Sequence, residues 1–506
     1  MVGHAFTGKK AAKIAIPPYG FAYRCGLLTG VISDVISYLK VLMSGNIDNK
    51  TSLYQQIRNG KGTEPARFDV STVTRFIQSV VVLLLLMSAT QVVSAPADSI
   101  ASDPRNMGWM EGFPPPADKV IGQPSTDYFS FPKLRWTFCH FRQLQATRGV
   151  NRGLNLISKL QVSLDPMIDA VTFTPINADA PMTWQESLDA NYTDGIVVMH
   201  RGEIVYEYYS GCLDRAGRHG AMSVTKSFVG VIGEMLIAEG TLDDQKPVGE
   251  YVPELIDSAF GSASLRQVMD MTTALDYNEN YADPESDIWL YAAAGNPAPK
   301  PASYRGPRSL YEFLEGVEQD GEHGEKFVYK SINTDVLAWV IARASGKDFI
   351  EHLSEKIWQP LGMEQEADMM VDSLGTPFAA GGLNLSLRDA ARFGQLMLQQ
   401  GVWNGKQIVA SEAVASVANG GDRLKFSEAG YKTLPGGSYG SQWWALHNEN
   451  GAYSARGIHG QAIYIDPAAE MVIARFASHP ISFNAGIDPN SLPAYQAVAK
   501  YLMKKT

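Results

Sequence analysis

The stretch HGAMSVTKSFVG, residues 219–230, sets Ser223 three positions before Lys226 at the head of an apolar run. Phe228, Val231, Ile232, Met235 and Leu236 recur at helical spacing and predict a buried helix. Ser223 stands where a serine can accept hydrogen bonds from the free N–H groups of a first turn. The same spacing puts the serine and the lysine on one face of that turn. A lysine held against a hydroxyl in a partly dry cleft has a lowered pKa and can take its proton. Locally, a helix cap and a nucleophile beside its base fit equally well.

Two further segments bear on the choice. In KFVYKSINTDVLAW (326–339), Tyr329 and Ser331 lie two apart just before a helix expected at Asn333. In extended chain they project the same way, into one cavity. A phenol titrates near 10, and a neighbouring ammonium favours its phenolate, which can act as a base. In ARGIHGQAIYIDP (455–467), His459 lies between Gly457 and Gly460, directly before a strong strand. Glycines there allow close approach of a substrate to backbone. An edge strand with a free N–H supplies one half of an oxyanion site, and the N–H of Ser223 the other. Each residue also has a plainer reading: a core lid for Tyr329, a turn cap for His459.

Together these segments resemble the serine hydrolases of the β-lactamase/penicillin-recognising superfamily, on its class C and esterase side. They are most similar to its 6-aminohexanoate-dimer hydrolase branch. Ser223-Val-Thr-Lys226 matches the SxxK motif, and Tyr329-Lys-Ser331 matches the tyrosine element in its Tyr-x-Ser form. His459-Gly460-Gln461 falls where lactamases carry Lys-Thr-Gly, so the cation and one glycine are replaced. The resemblance covers roughly residues 180–505. It implies an α+β, β-lactamase/transpeptidase-like fold: an antiparallel sheet flanked by helices, with an all-helical lobe. It implies attack by Ser223, proton transfer through Lys226 and Tyr329, and a second oxyanion N–H from Ala462. Ser331 and His459 would order the proton network or the substrate, and Tyr281 would close over the substrate from a mobile loop. It asks for no cofactor. The expected partner is a small amide or ester. A β-lactamase or D-amino-acid peptidase is the nearest alternative, and a non-catalytic envelope binding protein on the same fold the more distant one.

The bulk properties agree. A chain of 506 residues, 45% hydrophobic, can bury a large core. A net charge of −10 without blocks argues against nucleic acid, which prefers a basic stripe. The three cysteines, Cys25, Cys139 and Cys212, do not form a metal-binding pattern. RFIQSVVVLLLLMSATQVVSAPAD, from Arg75 to Asp98, has the basic start, apolar middle and small-residue end of a secretory signal. Its uninterrupted apolar run, Val80–Met87, is too short to span a bilayer.

The resulting division is an upstream extension (1–70), a signal-like segment (71–95) cleaved after Ala95, an extended arm (96–178) and the hydrolase domain (179–506). The protein is expected to be exported, periplasmic or secreted, where Cys139 and Cys212 are able to pair. It is read as a monomer or a homodimer. The aromatic cluster Tyr128, Phe129, Phe131, Trp136, Phe138 and Phe141 should pin the arm to the body. GIVVMHRGEIVYEYY (195–209) predicts a hairpin around His200-Arg201-Gly202.

Overall fold

The computed structural model describes residues 97–505, apart from 123–126, 282, 297–299 and 301. The upstream extension, the signal-like segment 71–95 and Cys25 lie outside the described residues. Among the described residues no helix is long and apolar enough to cross a membrane.

An eight-stranded sheet forms the body. Its strands are β1 (Gln161–Val162), β2 (Thr193–His200), β3 (Glu203–Tyr209), β4 (Ser438–Gly440), β5 (Trp443–Ala445), β6 (Tyr453–Gly457), β7 (Gln461–Asp466) and β8 (Met471–Ala477). They run in the order β4-β5-β6-β7-β8-β2-β3-β1. Only β1, parallel to β3, departs from antiparallel pairing. The predicted hairpin is β2–β3. Its turn residues Arg201 and Gly202 both have positive φ, 51° and 84°, the handedness a two-residue turn needs to match strand twist.

Alternation along the central strands sorts their side chains into two layers. Val197, Met199, Ile463, Ile465, Val472 and Ala474 face one core. Ile196, Val198, Tyr464, Met471 and Ile473 face the other. Helices α1 (Val224–Ala238), α2 (Ile332–Ser345) and α3 (Leu387–Leu398) contribute to the first core. Helix α4 (Asp488–Met503) covers the second, beside Trp184. α3 sits so close to the sheet that a Cβ on Gly394 would fall 2.5 Å from a Val472 methyl. Between α1 and residue 361 the chain is largely helical, which is the expected helical lobe.

Every residue of α1 from Val224 to Leu236 is buried, which a helix tolerates only when packed on all sides. Phe228 stacks on Phe393 with ring centres 3.9 Å apart. A Cβ on Gly230 would lie 2.1 Å from the Ser441 carbonyl oxygen, so only glycine admits the β4–β5 turn there.

The segment expected as an extended arm forms short helices at Pro104–Met107, Leu134–Thr137 and Phe141–Leu144. It also supplies strand β1 and a strand, Thr147–Val150, that pairs with Ala367–Met370. Phe138 and Phe141 are buried beside Met222, one residue before Ser223. Gly220 N–H donates to the Phe138 carbonyl at 2.8 Å. Cys139, next in sequence, is disulfide-bonded to Cys212 across 73 residues. Restricting a loop of that length in the unfolded chain stabilises the fold by about 4 kcal/mol. Replacing both cysteines by serine should lower the urea unfolding free energy by that amount. An unchanged midpoint and slope would show that the bond contributes nothing.

Candidate active site

Ser223 opens α1, yet its side chain makes no capping hydrogen bond. Its Oγ is instead the partner of Lys226 Nζ, 3.0 Å away. The lysine is 1% exposed and also donates to the Ala380 carbonyl. Tyr329, on the approach to α2, stands beside them, and the Ser223 hydroxyl acts on its phenol. Its ring centre lies 5.5 Å from Lys226 Nζ. The structure thus brings Ser223, Lys226 and Tyr329 into one pocket. The phenol is held by aromatic packing from the β4–β5 hairpin: Trp444 stacks on its ring at 5.5 Å and Tyr439 meets it edge-on at 5.7 Å.

The electrostatics fix the resting protonation. Burial pushes the Lys226 ammonium down to about 8, with Glu279 and Asp335 pulling it partly back. Burial and then the Glu279 carboxylate push the Tyr329 phenol well up; the Ser223 hydroxyl and Arg456 oppose them. The phenolate expected beside a lysine is therefore not the resting form. Desolvation and a nearby anion outweigh the ammonium, which leaves a neutral phenol next to an easily deprotonated amine.

Glu279 was not singled out from the sequence. It accepts from Ser331 Oγ at 2.6 Å and from the Tyr281 hydroxyl at 3.1 Å. Burial raises its carboxyl, and Lys226 draws it back. Its one signal was position, two residues before Tyr281, where extended chain points both side chains the same way. Asp335 sits one turn into α2, accepting from the Tyr291 hydroxyl and from Ala380 N–H. Burial raises its carboxyl as well. Tyr281 and Ser331 therefore join the pocket through Glu279.

The third segment lies differently from the expectation. His459 N–H donates to the Ser482 carbonyl at 3.0 Å, and its Nδ1 lies 2.7 Å from the His479 carbonyl oxygen. Its ring stands edge-on to Phe129 and Phe138, at 5.7 and 5.4 Å. Burial pushes its pKa down to about 4, so the imidazole is neutral. It thus anchors the arm's aromatic cluster, its hydrogen bonds and ring contacts going to Ser482, His479, Phe129 and Phe138. Gly460, with φ 100°, makes room for Ala477 rather than for substrate: a Cβ there would lie 3.0 Å from the alanine methyl. Gln461 exchanges hydrogen bonds with Ala477, donating to its carbonyl at 2.6 Å and accepting from its N–H at 3.0 Å.

Strand β7 is interior, and Ala462 is flanked by Arg456 on β6 and Arg475 on β8. Its N–H consequently points into a ladder and not into a cleft. The backbone beside the nucleophile is one strand earlier. A Cβ on Gly457, at the end of β6, would fall 3.1 Å from Ser223 N.

With this geometry in hand, the chain can be compared with known proteins. The Beta-lactamase family profile matches residues 192–490. A 6-aminohexanoate-dimer hydrolase of Paenarthrobacter ureafaciens is 37% identical over 373 residues, 71% of this chain and 90% of that protein. A solved Bacillus anthracis structure described as a 6-aminohexanoate-dimer hydrolase superposes with a TM-score of 0.68 at 33% identity. That match covers 76% of this chain and 99% of the other. A Yersinia enterocolitica β-lactamase is 23% identical over a shorter stretch, 31% of this chain and 36% of its own length.

Proposed function

The chain belongs to the β-lactamase family and is a hydrolase of amides or esters, and from that premise we propose that it cleaves small linear substrates through an acyl-enzyme on Ser223. The observation that carries this reading is the Ser223 Oγ held 3.0 Å from a buried amine whose proton is loosely held.

In the proposed sequence, Ser223 Oγ attacks the carbonyl carbon and its proton passes to neutral Lys226. The carbonyl π pair moves to oxygen. The N–H of Ser223 and that of Ile458, which follows Gly457 at the strand end, stabilise this oxyanion; Ile458 takes the part expected of Ala462. The Tyr329 phenol protonates the departing nitrogen or oxygen as its bond to carbon breaks, and Lys226 returns a proton to Tyr329. Water then attacks the acyl ester by the same steps reversed. Glu279 holds Ser331 and Tyr281 in place and sets the field that keeps Tyr329 protonated. The first substrate to test is the linear 6-aminohexanoate dimer, after the relatives' names, beside nitrocefin and D-Ala-D-Ala. The Cys139–Cys212 bond supports export to an oxidising compartment, the periplasm or outside.

A deprotonated Lys226 is the active form in this scheme. With an activated ester, kcat/KM should therefore climb about tenfold per pH unit below neutrality and level off above about 8. A profile flat from pH 6 to 9 would remove Lys226 as the base. Mass spectrometry of the quenched reaction should find the acyl group on Ser223.

A further inference from the structure

Phe483 is 47% exposed and Ile481 48% exposed, large apolar side chains on a loop whose residues 480–487 include no charged side chain. Their place in the fold gives this exposure meaning, because a series of contacts links the loop to the nucleophile. Ser223 N lies against Gly457. Two residues on, His459 N–H holds the Ser482 carbonyl at 3.0 Å. The next residue, Phe483, meets the Tyr281 ring edge-on at 6.4 Å. The Tyr281 hydroxyl is bound to Glu279, Glu279 to Ser331, and Tyr329 reaches back to Ser223. The far side of Tyr281 rests on Trp289 at 6.1 Å. The rim above the nucleophile is thus aromatic and aliphatic.

We propose that Phe483 and Ile481, with Tyr281, hold an uncharged alkyl or aryl chain attached to the scissile carbonyl, on its acyl or its leaving side. This rests on the hydrolase reading above and adds the substrate class: uncharged chains, ranked above the 6-aminohexanoate dimer with its charged ends. Apolar surface gathered at the mouth of a catalytic pocket marks a ligand site. Three charged or titratable groups beside the pocket are already engaged or neutral. Glu279 accepts from Ser331 and Tyr281, and Arg456 is bound by Asp488. His479, at the foot of the loop, is neutral because burial pushes it down to about 4. A charged chain end would therefore meet no unengaged counter-charge among these groups, while each methylene placed on Phe483 leaves water.

Two ester series test this. One lengthens the acyl chain from acetate to octanoate on p-nitrophenol; the other lengthens the alcohol from methyl to octyl on acetate. In at least one series kcat/KM should rise about tenfold or more with length. Phe483→Ala should erase most of that rise, so that its loss grows with chain length in the series that shows the gain, and Phe483→Leu should restore it. Because Phe483 is half exposed, the alanine variant is expected to fold. No gain with length in either series overturns the proposal, as does a loss in Phe483→Ala that is equal on the short and long esters of the series that shows the gain. If p-nitrophenyl acetate is not cleaved and does not acylate Ser223, the hydrolase reading fails first and takes this one with it.

Discussion

Ser223→Ala should lower turnover by about 10⁴–10⁶-fold and leave the fold standing. The two halves of that expectation have separate physical grounds. The hydroxyl is the atom that bonds to carbon, and among the described residues Lys226 hydrogen-bonds to no other hydroxyl. The stability half follows from the missing cap: the side chain of Ser223 supports no helix N–H, so its removal costs no capping energy. Lys226 loses one hydrogen bond and keeps the Ala380 carbonyl, a change of about 1 kcal/mol. Activity on p-nitrophenyl acetate and urea unfolding should be read on the same preparation. Turnover within tenfold of wild type would place the nucleophile elsewhere. A collapse of both activity and unfolding midpoint would return Ser223 to a structural role.

Tyr329→Phe should separate two functions of the phenol. The substitution keeps the ring against Trp444 and Tyr439, so the pocket retains its shape. Only the proton and its carrier are lost. On an amide, whose nitrogen must be protonated to leave, the loss should be about 10²–10⁴-fold. On p-nitrophenyl acetate, whose leaving group departs as an anion, it should be about tenfold or less. Equal losses on both substrates would mean that Tyr329 acts at attack and not at departure. That outcome would also contradict the neutral phenol that burial and Glu279 impose.

Residues tied to a periodic pattern or a short motif were legible in the sequence. The β2–β3 hairpin and α1 follow from alternation and helical spacing, and the Ser-Lys-Tyr set from the resemblance of its motifs to a known family. Side chains brought in by tertiary packing were not. Glu279 and Asp335 look like ordinary polar residues until folding encloses them beside Lys226. The strand after His459 is expected as an edge because His459-Gly460-Gln461 falls where lactamases carry Lys-Thr-Gly. In the fold the positive φ of His459, 61°, and of Gly460, 100°, turns the chain away from the nucleophile before β7 begins. The amide beside Ser223 then belongs to the preceding strand, a shift that no residue type announces. The arm was read from its prolines as extended. Its later aromatic residues pack under the loop that leads to Ser223, as their clustering predicts, because burying those rings outweighs the ordering of a short segment.

The sheet has a consequence for how the chain is made. Its middle joins β2, near residue 200, to β8, near residue 475, and everything of the helical lobe is synthesised between them. A ribosome that has finished the serine and its lysine has not yet produced the strand that floors them. The hairpin emerges with one long side unpaired, and it must stay soluble until almost the whole polypeptide has left the exit tunnel. Competence for chemistry therefore arrives late and all at once, so fragments lacking the C-terminal sixty or so residues should be clients for chaperones rather than weak enzymes.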